Sequence, residues 1–392
     1  VGCQARLSTV VTSYPVPEKD YARPLPQGEL ALRKITDPAK IPDYTKACSD
    51  TDNLLEAIDR SLSYMAKPSS MQFYPYGEIT HEQAVKSLQE LRKLFASGMT
   101  PEQMNAFIRE KFDTYMSAGC DDQGTVLYTG YYTPVFEGSP VRIDHFRYPL
   151  YKVPDDLLKG PDGMILGRMG KDGQIRPYPE RAEIQNSRML NGHELVWLRD
   201  PFEVYIVHIQ GSAKIRMPDG RIETVAYAAN NGREYKSIRH KLIADGKFTE
   251  KNINMKAMID YFSARPDEVD MYVNENPRFI FFRKDDSSPR GSLNEPVTSM
   301  RTIATDKAIY PRAMFAFADV NLEEDVGFVL DQDSGGAIRA AGRCDVYIGV
   351  GDQAGELAGR TYREGRLYYL FIKPEDQQEV SAPSQADKSE QP

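Results

Sequence analysis

Several things are scarce in this chain, and each scarcity removes a class of chemistry. Its four cysteines, at positions 3, 48, 120 and 344, are too dispersed for a zinc or iron cluster. The five histidines, at 81, 145, 193, 208 and 240, form no i,i+4 pair, so no metal and no cofactor are expected. No G-x-S-x-G elbow occurs, and no cysteine stands in a nucleophile motif. No run of apolar residues is long enough for a membrane-spanning helix. A formal net charge of −8 leaves no electrostatic footprint for nucleic acid. Tryptophan occurs once, as Trp197, against 23 tyrosines. Tyrosine rings stack on sugars, but strands with wet edges are the commoner use of so many.

What is present fits a chain of two domains. At 392 residues, 41% hydrophobic and 27% charged, it is long enough for two proper cores. Val1-Gly2-Cys3 is similar to the end of a bacterial lipoprotein signal, with Cys3 as the acylation site. A chance cysteine reads the same way on these residues alone. Cys48 and Cys120 are candidates for a disulfide in an oxidising compartment, although connectivity is not legible in sequence. Residues 4 to about 45, rich in proline and polar side chains, read as an extended tether. Helices are expected over 51–65, from a capping box at Thr80 and Gln83 to Gly98, and from Thr100-Pro101 to about Met116. From Gly124 the period changes to two. Strands are expected through 124–147 and again over 193–232, which places His208 on an apolar strand as a hydrogen-bonded core residue. Helices return over 235–245 and 254–264, with a short one ending at Glu275. A buried strand follows at 277–283, then a polar junction near 285–293 and five final strands. After Lys373 no apolar face remains, and the tail reads as disordered.

The stretch Phe328–Gly359 organises the rest. Around Asp345 the residues alternate strictly: Cys344, Val346, Ile348 and Val350 are expected to face a core, with Asp345 and Tyr347 on the opposite face. The preceding strand places Val329, Asp331 and Asp333 together before Gly335-Gly336 breaks it. Two carboxylates on facing short strands would make a floor for a polymer, with Asp345 as catalytic acid and Asp333 as its neighbour. Burial beside apolar residues disfavours the charged form, so such an acid keeps its proton near neutrality. Glycosidic cleavage follows as the candidate reaction, ordinarily with two carboxylates. Other motifs fail. Asp331-to-Gly336 begins like a calcium loop, but its twelfth position is Gly342. GVGDQAG at 349–355 is a broken dinucleotide fingerprint, with too little chain before the next strand for a full crossover helix.

Several ordered motifs carry a family resemblance: TGYYTPVFEGS, YPLYKVPDDL, DPFEVYIVHIQGSAKIRMPDGR, YAANNGREYKSI, NPRFIFFR and three C-terminal aspartates in ATDKAIYP, DSGGAI and RCDVYIGVG. From Gly130 to about Ile372 the chain resembles the membrane-bound lytic transglycosylase A family. The resemblance implies a mainly β fold with a helical N-terminal part. A double-psi β-barrel (46–140 with 290–373) is interrupted by an inserted β-barrel (141–289), with a groove between them. It also implies a lipid anchor on Cys3 and a place on the periplasmic face of the outer membrane, with peptidoglycan glycan strands as partner. The implied reaction is cleavage of the MurNAc–GlcNAc β-1,4 bond with a 1,6-anhydro product. Asp345 is then the acid, Asp333 and Asp306 organise it, and Tyr131, Gln210, Ser212, Asn231 and Tyr347 line the groove. Departures occur at Thr133, where glutamate is frequent, at Ala213 and at Arg312, where glycine is common. A β-glucan hydrolase and a non-catalytic wall-binding module remain as alternatives.

Overall fold

The two ends of the chain build one sheet and its middle builds another. The computed structural model describes residues 19–160, 164–170, 172–250, 252–285, 288–323 and 326–374. Acylation at Cys3 and the tail beyond Pro374 lie outside the described residues. β1 (Leu32–Lys34) falls inside the expected tether, yet it pairs antiparallel with β2 (Phe112–Ser117). Ala31 and Tyr44 beside it are fully buried. Scattered apolar residues can pack when a sheet edge is there to receive them, so the tether reading fails for 19–45. Short α1 (Thr45–Cys48) leads to α2 (Leu54–Met65), α3 (His81–Phe95) and α4 (Pro101–Lys111). On α3, Leu88 and Leu91 are fully buried, each contributing about 2 kcal/mol of transfer free energy.

Both helix starts follow capping chemistry, with differences. Thr100 and Gln103 form a complete capping box with Pro101 first in the helix. At α3 only half forms: Thr80 accepts from the Gln83 N–H, while the Gln83 side chain donates to the Ile372 carbonyl. That bond ties the helix to the C-terminal strand. α4 stops at Lys111 and not near Met116, because Phe112 onward joins the sheet as β2. Cys48 and Cys120 are both buried free thiols, so the disulfide is not formed.

β3 (Val126–Thr133) belongs to the first sheet, and the chain changes sheets at Pro134. β4 (Val135–Ser139) and β5 (Tyr148–Tyr151) enter the second. A small sheet of β6 (Leu157–Lys159), β7 (Ile165–Met169) and β8 (Ile175–Arg176) precedes α5 (Arg181–Gln185) and β9 (Glu194–Leu198). Residues 201–210, expected as strand, are helix α6 (Pro201–Gln210). Asp200 caps it, Pro201 sits in its first turn, and Gly211 ends it at φ 76°. Phe202, Tyr205, Ile206, Val207 and His208 are all buried, so the helical period is hidden by uniform apolarity. Then come β10 (Ser212–Arg216), β11 (Ile222–Asn230), α7 (Arg239–Ala244), α8 (Met255–Ser263), α9 (Val269–Val273) and β12 (Ile280–Asp285). The second sheet runs β12-β11-β10-β4-β9-β5. Its edges meet where Lys152 bridges Phe282, curling it toward closure.

The last strands are β13 (Thr302–Ala304), β14 (Phe315–Asp319), β15 (Gly327–Asp333), β16 (Arg343–Val350) and, after helix α10 (Asp352–Arg360), β17 (Tyr362–Ile372). The order β17-β14-β15-β13-β16-β3 closes because β17 also pairs with β3, giving a six-stranded barrel. α10 occupies the interval judged too short for a crossover helix. It fits because β17 runs antiparallel to β3 and needs no parallel return. Close packing admits it: a Cβ on Gly130 would lie 2.8 Å from the Ala358 backbone.

Candidate active site

The short strand β13 is the spine of the site. Its Ala304 pairs with Asp333 on β15 to one side and with Asp345 on β16 to the other. The two carboxylates are therefore not on adjacent facing strands as expected; β13 lies between them, and their Cα atoms are roughly 10 Å apart. Both open onto a groove of about 1630 Å³ that also runs past residues of the second sheet. Register shifts on β13/β15 at Ile303 and on β16/β3 after Tyr347 shape this floor. The second bulge breaks the strict alternation. Tyr347 and Ile348 are both buried, and Val350, expected in the core, is 43% exposed.

The aspartates differ in what holds them. Asp331, read as part of the cluster, is fully buried beneath the groove. It pairs with the Lys307 ammonium and accepts from Thr305 Oγ1 (2.7 Å) and Tyr369 OH (2.7 Å). Asp333 accepts from Tyr131 OH (2.7 Å) through one oxygen and from the Ser292 and Ser334 N–H groups (2.8 Å each) through the other. Burial raises its carboxyl, and those donors pull it back. Asp306 accepts from the Ala308 N–H (3.1 Å) and from the Ala340 N–H (2.9 Å), one on each oxygen. It lies on the groove wall and fastens two turns there. Asp345 accepts a single bond, from Thr129 Oγ1 at 2.9 Å, through Oδ1. Its Oδ2 has no partner among the described residues. Burial pushes this acid up to about 6; Thr129 and Arg343 oppose the rise and Asp333 adds to it.

Of the expected groove residues, four line it and one does not. Tyr131, Gln210, Ser212 and Tyr347 are on the lining. Burial and then Asp333 raise Tyr131 well above the usual phenol range, so it stays a donor. Gln210 Oε1 accepts from the Tyr132 N–H (3.1 Å), stitching the end of α6 to β3. Tyr347 OH and Thr133 Oγ1 are hydrogen-bonded at 2.9 Å, and the Tyr131 and Tyr347 rings are 5.2 Å apart. Asn231 is the exception. It is buried, donates to the Pro179 and Pro277 carbonyls and accepts from the Phe279 N–H. With the Arg233 N–H also on its Oδ1, this asparagine satisfies four backbone groups and has nothing left for a ligand. His208 lies on helix α6 and not on a strand; its Nδ1 accepts from the Ile280 N–H, and burial keeps the ring neutral.

Sequence reading missed Thr129, the hydrogen-bond partner of Asp345, and the Lys307–Asp331 pair beneath the floor. Thr129 faces Asp345 through the parallel register of β3 and β16, more than two hundred residues apart in the chain. Lys307 adjoins Asp306, but nothing local says which of two strands later in the chain will receive its charge. Among the described residues no group of three or more His, Cys, Asp and Glu is placed to hold a metal ion.

Comparison with known proteins agrees with this architecture. The family described as "MltA specific insert domain" matches residues 127–283, and the "3D domain" matches 301–371. The membrane-bound lytic murein transglycosylase A of Vibrio cholerae is 30% identical over 267 residues, 65% of this chain and 68% of that protein. Its Escherichia coli K12 counterpart is 29% identical over 274 residues, 67% of this chain and 70% of that protein. A membrane-bound lytic murein transglycosylase from Agrobacterium tumefaciens superposes with a TM-score of 0.74 at 28% identity, over 87% of this chain and 98% of that one. MltA of Escherichia coli with bound chitohexaose gives 0.66 at 24% identity, over 91% and 100%. The chain belongs to the membrane-bound lytic murein transglycosylase A family.

Proposed function

We propose that this protein is a lytic transglycosylase that cleaves the MurNAc–GlcNAc β-1,4 bond of peptidoglycan, with Asp345 as its single acid and base. One observation carries the reading. Of the four aspartates around the floor, only Asp345 has an uncommitted carboxyl oxygen at the groove, and its pKa stands near neutrality. Both oxygens of Asp306, Asp331 and Asp333 are already engaged. No second carboxylate among them is left to activate water, which disfavours hydrolysis on the two-carboxylate scheme.

Protonated Asp345 gives its proton to the glycosidic oxygen as the bond to C1 breaks. Its carboxylate next takes the proton from the muramyl C6 hydroxyl as O6 bonds to C1. The 1,6-anhydro ring closes, the acid is restored and no water is consumed. An intramolecular nucleophile supplies by proximity what a second carboxylate would otherwise provide. Thr129 steers the acid through Oδ1. Asp333, fixed by Tyr131 and two backbone amides, disfavours a second negative charge nearby and so helps Asp345 keep its proton. Tyr347 and Ser212 line the path of the strand.

In this reading the closed six-stranded ring is the catalytic unit and the sheet of residues 135–285 the glycan-binding insert. The ring's parallel pairings, β13 with β15 and β16 with β3, support a double-psi topology. The family's membrane-bound members, and the chitohexaose held by the Escherichia coli relative, support membrane attachment and a glycan ligand. Attachment through Cys3 on the periplasmic face of the outer membrane completes the proposal. Digestion of purified peptidoglycan with mass spectrometry of the products tests it. Anhydromuropeptides are expected; products heavier by one water would establish hydrolysis, and unaltered strands would establish a binding module.

A further inference from the structure

The groove is basic in an acidic protein. Seven arginines and lysines line it against four aspartates, while the chain as a whole carries −8. Most of these cations are engaged. Lys284 pairs with Glu223, Lys307 with Asp331, and Arg283 and Arg290 with Asp285. The Arg312 guanidinium lies 3.8 Å over the Phe73 ring. Arg278 and Arg339 differ: among the described residues neither has a carboxylate partner. Arg278 donates through Nη1 to the Arg233 carbonyl (3.0 Å), and no acceptor among those residues meets its other side-chain nitrogens. Arg339 is exposed on the loop between β15 and β16.

The same loop brings the two together. A Cβ on Gly336 would lie 3.4 Å from Arg278 Nε, so the loop backbone rests on this arginine. Arg339 follows three residues later and is close enough to repel it, adding to the effect of burial in lowering the Arg278 pKa. Gly336 is itself three residues from Asp333, which puts Arg278 Nε within roughly 15 Å of the Asp333 Cα. Two like charges on one stretch of groove wall, neither with a carboxylate partner among the described residues, repel each other, and an anion bound between them offsets that repulsion. Sugar hydroxyls are neutral and need no such pair.

We infer that Arg278 and Arg339 form a carboxylate subsite in the groove wall, taking the acidic peptide stems of a peptidoglycan strand while the sugars lie on the floor. The inference rests on the glycan-cleaving reading above and deepens it to peptide-substituted strands as the favoured substrate. Planar guanidinium groups suit carboxylates, which they bind through paired N–H bonds.

Binding measured apart from turnover separates the two claims. Calorimetry would use the full chain carrying Asp345→Asn, so that strands are not consumed. The ligands are soluble peptide-bearing glycan strands and the same strands after amidase hydrolysis, which removes the stem carboxylates and leaves one short lactyl carboxylate on each muramyl ring. Tighter binding of the peptide-bearing strands is expected, with the preference falling about tenfold on adding Arg339→Glu, an exposed change that leaves the fold intact. Equal affinity for the two ligands, or a preference unmoved by Arg339→Glu, would overturn the subsite whether or not the wild-type chain releases anhydro products. A charge-dependent preference in a chain that releases none would refute the catalytic reading and leave the subsite standing.

Discussion

Replacing Asp345 by asparagine keeps the shape and the bond from Thr129 while removing the one floor aspartate that, among the described residues, has an uncommitted oxygen. A general acid contributes on the order of 10² to 10⁴ in rate, so kcat should fall by at least a hundredfold. The wild-type profile should carry the same group. With the acid at about 6, roughly nine tenths of molecules hold the proton at pH 5 and about a tenth at pH 7. Activity limited by proton donation should then decline about tenfold per pH unit above 6. Stability should fall over the same rise in pH. A carboxyl whose folded pKa is raised favours folding at low pH and loses that contribution as pH rises through about 6. The substituted amide never charges, so the Asp345→Asn variant should be the more stable protein at pH 7, by up to about 3 kcal/mol before discounting for solvent in the groove, and should melt at a higher temperature. The assay is release of anhydromuropeptides from soluble strands between pH 5 and 8, with thermal unfolding of both proteins alongside. A variant keeping more than a tenth of wild-type kcat, or one that loses activity only because it unfolds, would refute the reasoning.

Three further outcomes follow from the contacts around the floor. Lys307→Met should cost about 3–5 kcal/mol in denaturant unfolding, because it leaves Asp331 charged and uncompensated in the barrel; a loss below about 1 kcal/mol would mean the pair is not ionised. Tyr131→Phe removes one donor to Asp333 and should lower kcat several-fold more than it raises KM, with little change in melting temperature. Equal changes in both constants would place Tyr131 in simple binding. Asn231→Ala should destabilise by about 1–3 kcal/mol for the backbone groups it leaves unpaired, with KM per folded molecule unchanged. A specific rise in KM would return Asn231 to the groove.

How much of this was legible depends on the range of the cause. Helices with local signals were readable: Thr100-Pro101-Gln103 starts a helix by caps alone, and α2 and α3 show their apolar faces at helical spacing. Helix α6 was not, because a segment buried on nearly every side loses its period and the eye reads β. α10 was discounted on an assumption about connection, namely that the next strand must return parallel; its antiparallel pairing removed the need. The segment 19–45 has the composition of a tether, but β2 offers an unpaired edge that composition cannot reveal. Asp345 and Tyr347 were placed on one face by alternation, and the bulge beyond Tyr347 then reversed the fate of Val350.

The sequence by itself determined the residue types available for chemistry and their order: three aspartates spaced among glycines, with no metal ligands in register and no elbow nucleophile. Only the tertiary structure decided which aspartate is left with a free oxygen. That choice rests on donors from distant segments, with Thr129, Tyr131, Ser292 and Lys307 each reaching an acid across strand pairings or loops. A carboxyl's proton affinity is set by what surrounds it in space, and neighbours along the chain are a small part of that surrounding.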